Sequence, residues 1–160
     1  MPNYGLTLNE PRLGLMLHYD ASASDAGGLA WLRDPAAGVS YNWYVLDDGA
    51  VHEIAPESAR AWHAGICRPS DPALTYRDAN SAFIGVSIAA RPGDVATPPQ
   101  FSALVDLCRA IFHRHGWPLT DTWRIVGHNT EAHPRGRKND PEGPDGAHPV
   151  LSVDQVRAAL

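Results

Sequence analysis

A chain of 160 residues, 44% hydrophobic and 19% charged, can close one apolar core and is too short for two ordinary domains. Its 13 Lys and Arg against 18 Asp and Glu leave a formal charge of -5, which argues against nucleic acid as a partner. No apolar run approaches the ~20 residues needed to cross a bilayer, and Met1-Pro2-Asn3-Tyr4-Gly5-Leu6 lacks the basic and apolar stretches of an export signal, so the sequence as written predicts a protein kept in the cytosol, with no membrane partner.

The first element is Leu13-Gly14-Leu15-Met16-Leu17-His18, a short apolar run ending in a polar residue, as in a buried strand whose last side chain reaches a cleft. Ser24 can cap a helix from Ala26 to Arg33, which Pro35 closes. Asn42 to Leu46, the turn Asp47-Asp48-Gly49 and Ala50 to Ile54 read as a β-hairpin. Ala55 to Asn80 is a long polar and Pro-containing connection with its own turn at Trp62-His63-Ala64-Gly65.

Ala82 to Ala89 is a further buried strand. Pro98 and Pro99 can start a helix whose apolar positions Leu104, Val105, Leu107, Cys108, Ile111 and Phe112 recur at helical spacing until Gly116 ends it. Trp123 to Gly127 is expected as a strand, followed at once by His128. Pro134 to Pro149 is dense in Gly and Pro, and Ser152 can cap a last short helix. Cys67 and Cys108 fit neither a disulfide framework nor a zinc ribbon, and are expected as free thiols. Strands and helices alternate irregularly, which predicts a mixed α/β fold with one central mixed sheet flanked by helices.

His18 and His128 each follow an apolar run, and side chains at the mouth of a sheet can converge. On these two alone, a shared metal and a pair of satisfied strand-end histidines weigh about equally. The candidate third ligand is Asp140, in the polar loop Gly136-Arg137-Lys138-Asn139-Asp140-Pro141, which is otherwise an ordinary solvated turn. Two imidazoles and one carboxylate are a zinc donor set with a fourth position left open for water, as catalytic sites require.

Four blocks in order extend this pattern: Leu15-Met16-Leu17-His18-Tyr19, Val39 to Gly49, Ala61-Trp62-His63-Ala64-Gly65, and Ile125-Val126-Gly127-His128 with Gly136 to Pro141. From about His18 to about Pro144 the sequence resembles the zinc-dependent N-acetylmuramoyl-L-alanine amidase and peptidoglycan recognition protein superfamily. That family includes phage lysozyme-type amidases and cytosolic muropeptide amidases. The resemblance implies an amidase-type fold with a zinc cleft at one edge of the sheet and one zinc per chain on His18, His128 and Asp140. It also implies hydrolysis of the amide between the lactyl group of N-acetylmuramic acid and L-alanine.

By the same resemblance Lys138 falls on a catalytic lysine suited to an oxyanion, and Tyr41 on a tyrosine that holds water or passes a proton. A strand aromatic packed in the core is the alternative for Tyr41. Trp62 and His63 fall beside the cleft and Asn80 on a substrate-side asparagine, although the Trp62 turn equally suits a packing anchor. His52, His113, His115, His133 and His148 have no ligand counterpart. Where the muropeptide amidases carry a catalytic Glu after the strand motif Ile84-Gly85-Val86, this chain has Ser87.

That departure resembles the phage branch and favours an endolysin acting on the cell wall after release, with cytosolic muropeptide recycling or a non-catalytic peptidoglycan-binding module as alternatives. The chain is expected to work as a monomeric catalytic domain on peptidoglycan or a muropeptide, with no separate wall-binding domain. Should Tyr41 prove structural, Glu131 is the next candidate for handling protons.

Overall fold

The computed structural model describes residues 2–7, 10–143 and 149–160. Its centre is a five-stranded sheet of β1 (Gly14–Tyr19), β2 (Trp43–Val45), β3 (Val51–Glu53), β4 (Phe83–Ile88) and β5 (Ile125–Gly127), in the order β3-β2-β4-β1-β5. β1 runs parallel to β4 and β5, and β2 parallel to β4. β2 and β3 form the expected antiparallel hairpin, which makes the sheet mixed. Gly49 turns it at φ 87°, a left-handed conformation that glycine adopts without a side-chain clash.

Among the described residues five α-helices accompany the sheet: α1 (Asp25–Arg33), α2 (Ala79–Ala82), α3 (Pro98–His115), α4 (His128–Glu131) and α5 (Val153–Ala158). The Ser24 hydroxyl accepts from Gly27 N at the start of α1, and Ser152 accepts from Gln155 N at the start of α5. α3 opens with Pro98 in its first turn and a reciprocal cap between Thr97 and Gln100, and it ends at Gly116 with φ 67°. No helix among the described residues is long and apolar enough to cross a membrane.

The pleat of the sheet sorts side chains into two layers. Leu15, Leu17 and Tyr19 of β1 and Ile84, Val86 and Ile88 of β4 pack with Leu104, Ile111 and Phe112 of α3 and Val153 and Val156 of α5. Burying a Leu, Ile or Phe side chain fully contributes about 1.5–3 kcal/mol, so packing rather than intrinsic propensity holds α3 in place. The alternate residues, Met16 and His18 on β1 and Phe83, Gly85 and Ser87 on β4, face the other layer. There Met16 and Phe83 meet Ala64, Leu74 and Ala79 from the long connection and α2.

That connection, read from the sequence as Ala55 to Asn80, holds no helix or strand through residue 78, and its last two residues open α2. Arg12 anchors it. The buried guanidinium donates to the carbonyls of Glu57, Ala59, Asn80, Ser81 and Phe83, tying the connection to α2 and the start of β4.

The sheet departs from the sequence expectation at Trp123 to Gly127. Only Ile125–Gly127 is strand, because Thr122–Arg124 forms a 3₁₀ turn. This turn lets Arg124 donate to Leu13 O at 2.8 Å and lie 4.3 Å from the ring centre of Trp123. The short helices α2 and α4 carry no sequence signal of their own. His148 lies outside the described residues, as does Pro144, where the family resemblance ends.

Candidate active site

Strand register brings the two histidines together. Leu17 of β1 stands opposite Gly127 of β5, so the next residues, His18 and His128, emerge side by side at the carboxyl ends of parallel strands, with ring centres 4.6 Å apart. Asp140 reaches them from the loop after α4. Its carbonyl accepts from Asn129 N at 2.7 Å, and Tyr19 donates to the neighbouring Asn139 Oδ1 at 2.9 Å.

Asp140 Oδ2 lies 2.7 Å from His18 Nδ1 and 3.0 Å from His128 Nδ1. All three side chains are buried, and their ligand atoms lie within 4.8 Å of one another. Burial drives the His18 pKa down to about 4 against the opposing pull of Asp140, which keeps the imidazole neutral. Burial alone would raise Asp140, but the close ring nitrogens of His128 and His18 outweigh it and hold the carboxyl well below the usual range. A carboxylate beside neutral imidazole is the charge state a divalent cation requires.

The donor set fits zinc. His128 Nε2 sits 2.8 Å from Ala64 O, which can only accept, so that nitrogen carries the proton and Nδ1 keeps its lone pair toward Asp140. Two ring nitrogens and one carboxylate oxygen thus face a common point beside a cleft of about 620 Å³, with room for a fourth ligand.

The cleft wall includes Tyr41, Trp62, Asn80 and Lys138. Tyr41 is buried, its ring centre 5.0 Å from that of His18. Burial first, then the negative charges of Asp140 and Asp20, push its phenol pKa up, so the hydroxyl stays protonated at neutral pH. Lys138 is exposed at the rim. Asn80 Oδ1 accepts from the backbone N–H of His63 at 2.9 Å and of Ala64 at 2.8 Å, so its carbonyl is committed to the turn while the residue lines the cleft. Trp62 is half-buried and its backbone N–H donates to Ser40 Oγ at 3.0 Å.

Two expectations change. His63 also borders the cleft, yet both of its ring nitrogens face protein: Nδ1 is 3.0 Å from His18 Nε2, and Nε2 is 3.3 Å from Phe83 O. A substrate contact through those nitrogens is not what this geometry offers. Glu131 is turned away from the cleft and buried, its carboxylate accepting from Ser70 Oγ and from Tyr76 at 2.5 Å. That arrangement ties α4 to the 67–76 loop.

Two cleft residues escape the sequence reading. Trp31 of α1, 54% exposed, lines the wall with no motif to mark it. Arg137 sits inside the Gly-Arg-Lys run and donates to Ala64 O at 3.0 Å and Ile66 O at 2.7 Å, closing the loop over the Trp62 turn. The two cysteines are free, and burial pushes the Cys108 thiol up to about 12.

A mixed sheet that gathers two histidines and an aspartate at its strand ends, beside an open cleft, defines a metal-dependent hydrolase. The chain belongs to the N-acetylmuramoyl-L-alanine amidase family, which matches residues 9–143, and it is a zinc-dependent amidohydrolase of that family.

Solved structures share the fold. A selenomethionine derivative of AmpD is 22% identical, with 100% of this chain and 92% of that chain covered and a TM-score of 0.75. AmiD from E. coli, in complex with anhydro-N-acetylmuramic acid-L-Ala-D-γ-Glu-L-Lys, is 23% identical with a TM-score of 0.73; 96% of this chain is covered, but only 60% of that one. The endolysin LysCS from Clostridium intestinale is 17% identical, covers 99% of this chain and 89% of its own, and has a TM-score of 0.63. No curated protein matches the chain. Endolysins and AmpD-type enzymes both stand among the neighbours, so the fold does not single out the phage branch that Ser87 suggested.

Proposed function

We propose that this chain is a muropeptide amidase, which cleaves the lactyl amide to L-alanine in soluble anhydro-N-acetylmuramoyl peptides. The observation that carries the reading is the similarity to AmpD along the whole chain, joined to the complete ligand set His18, His128 and Asp140. AmiD, which holds an anhydromuramoyl peptide in its own structure, supports the same substrate class. A complete ligand set argues against a non-catalytic binding module.

Zinc, when bound, supplies a Lewis acid that polarises the scissile carbonyl and acidifies the attacking water toward a pKa of ~7. Asp140 and the two histidines would hold it. Tyr41, protonated and beside His18, would pass its hydroxyl proton to the departing amine while taking up the proton that the attacking water loses, and so return to its starting state. Lys138 brings a cation to the rim of the cleft, where it stabilises the developing oxyanion. Trp31, Trp62 and Asn80 offer two indole faces and an amide to sugar and peptide. The working compartment on this reading is the cytosol, which fractionation of the source cells would check.

The test offers the purified protein a defined anhydromuramoyl tripeptide and, separately, intact cell-wall sacculi, and counts new L-alanine amino termini. Rapid release from the tripeptide with little from sacculi is expected. The endolysin reading retains Ser87 in its favour, and comparable release from sacculi would establish it instead. Appearance of reducing sugar ends would refute amide cleavage altogether.

A further inference from the structure

We infer that His63 is a positioning residue for the zinc centre, fixing His18 in the one tautomer that can ligate. His18 Nε2 and His63 Nδ1 are 3.0 Å apart and both rings are buried, so a single proton lies between the two nitrogens. Which ring owns it is decided one step further out. The other nitrogen of His63, Nε2, is 3.3 Å from Phe83 O. A carbonyl accepts and never donates, so His63 Nε2 must carry a proton.

In a neutral imidazole only one nitrogen is protonated, so His63 Nδ1 holds a lone pair and accepts from His18 Nε2–H. His18 Nδ1 is therefore left with a lone pair, 2.7 Å from the carboxylate of Asp140, a pair of acceptors that a shared divalent cation would satisfy. The opposite arrangement would set the lone pair of His63 Nε2 against that of Phe83 O, and would place a proton on His18 Nδ1 where the metal must bind. His128 reaches the same tautomer by a shorter route, through Ala64 O. The two ligands are thus oriented by adjacent residues of a single turn.

The fold is shaped to hold this relay. Asn80 Oδ1 fixes the backbone of His63 and Ala64 together. β4 contributes Gly85 directly beneath the imidazole; a Cβ there would meet His63 Cγ and Cδ2 at 2.7 Å. Any larger residue at 85 would displace the ring from His18. Outer partners of ligating histidines alter metal affinity by about 10–100-fold, and that is the magnitude expected here.

The experiment has two arms. In the zinc-loaded protein, long-range ¹⁵N–¹H correlation spectra should show the His63 proton on Nε2, and a coupling through the hydrogen bond should join His18 Nε2 to His63 Nδ1. A proton on His63 Nδ1 would overturn the inference. In competition with a chromophoric chelator, His63→Phe should weaken zinc binding by roughly 10–100-fold. His63→Gln, whose amide oxygen can accept the same N–H, should recover much of the loss, which a purely structural role would not produce. Folded His63→Phe protein with unchanged zinc affinity would also overturn it. Should His63→Phe fail to fold, the spectra and His63→Gln decide: retention of zinc by Gln with the predicted His63 tautomer supports the relay, and the reverse tautomer refutes it.

Discussion

The ring of Tyr41 lies against the imidazole of His18, with centres 5.0 Å apart and planes tilted by 46°. Tyr41→Phe keeps that packing and removes only the hydroxyl. Turnover is expected to fall by ~10²-fold or more, within the range of general acid–base groups, while zinc content and melting temperature hold. Steady-state kinetics with elemental analysis would check this. An unimpaired Tyr41→Phe enzyme would return the residue to a packing role.

Removal of the metal should abolish hydrolysis and expose the cost of gathering Asp140 with two imidazoles. One zinc per chain is expected by elemental analysis, and His18→Ala, His128→Ala and Asp140→Ala should each lose both zinc and activity. Because zinc binds the folded site, its removal should also lower the melting temperature. Full activity in a chelator, with zinc shown to be absent, would sink the ligand assignment.

Glu131→Gln separates the two readings of that carboxylate. It accepts from Ser70 and Tyr76 away from the cleft, so the substitution should cost about 1–3 kcal/mol of stability, the usual penalty for disturbing a buried charged acceptor. Activity per folded molecule should stay near that of the parent. A large fall in turnover with unchanged denaturation would restore Glu131 as a proton carrier.

Stability should decline on the acid side partly through Glu57. Burial would raise its pKa, but hydrogen bonds from Arg114, His115 and Trp43 outweigh this and hold it below the ordinary 4.5. A depressed folded-state pKa stabilises the fold fully above the unfolded value of 4.5, and the contribution fades as pH falls toward the folded value. Glu57→Gln should therefore be less stable than the parent at pH 7, by about 1–2 kcal/mol for the lost charge-assisted bonds. The two proteins should converge as pH falls through the folded value. Urea melts across that range would check it; a gap constant with pH would show that the ion pairs contribute nothing.

The strands around the site were legible because each is a short apolar run between turn residues, and the metal ligands because two of them follow such runs directly. α1, α3 and α5 were legible from Ser24, the Pro98-Pro99 pair and Ser152. Trp123 and Arg124 misled because the run into Ile125 favours strand on local grounds, whereas the segment forms a 3₁₀ turn from which Arg124 donates to Leu13, remote in sequence. The burial of His63 behind His18 was illegible for the same reason. Nothing near residue 63 reports that Gly85 leaves a hollow for its ring.

The alternation of β4 separates two kinds of inheritance. Ile84, Val86 and Ile88 are committed to the helical layer, where a lost methylene weakens the whole cooperative unit. Gly85 and Ser87, on the opposite side of the same strand, touch residues that set the chemistry. A change at 85 therefore reaches the site through the His63 ring before it reaches the helical layer.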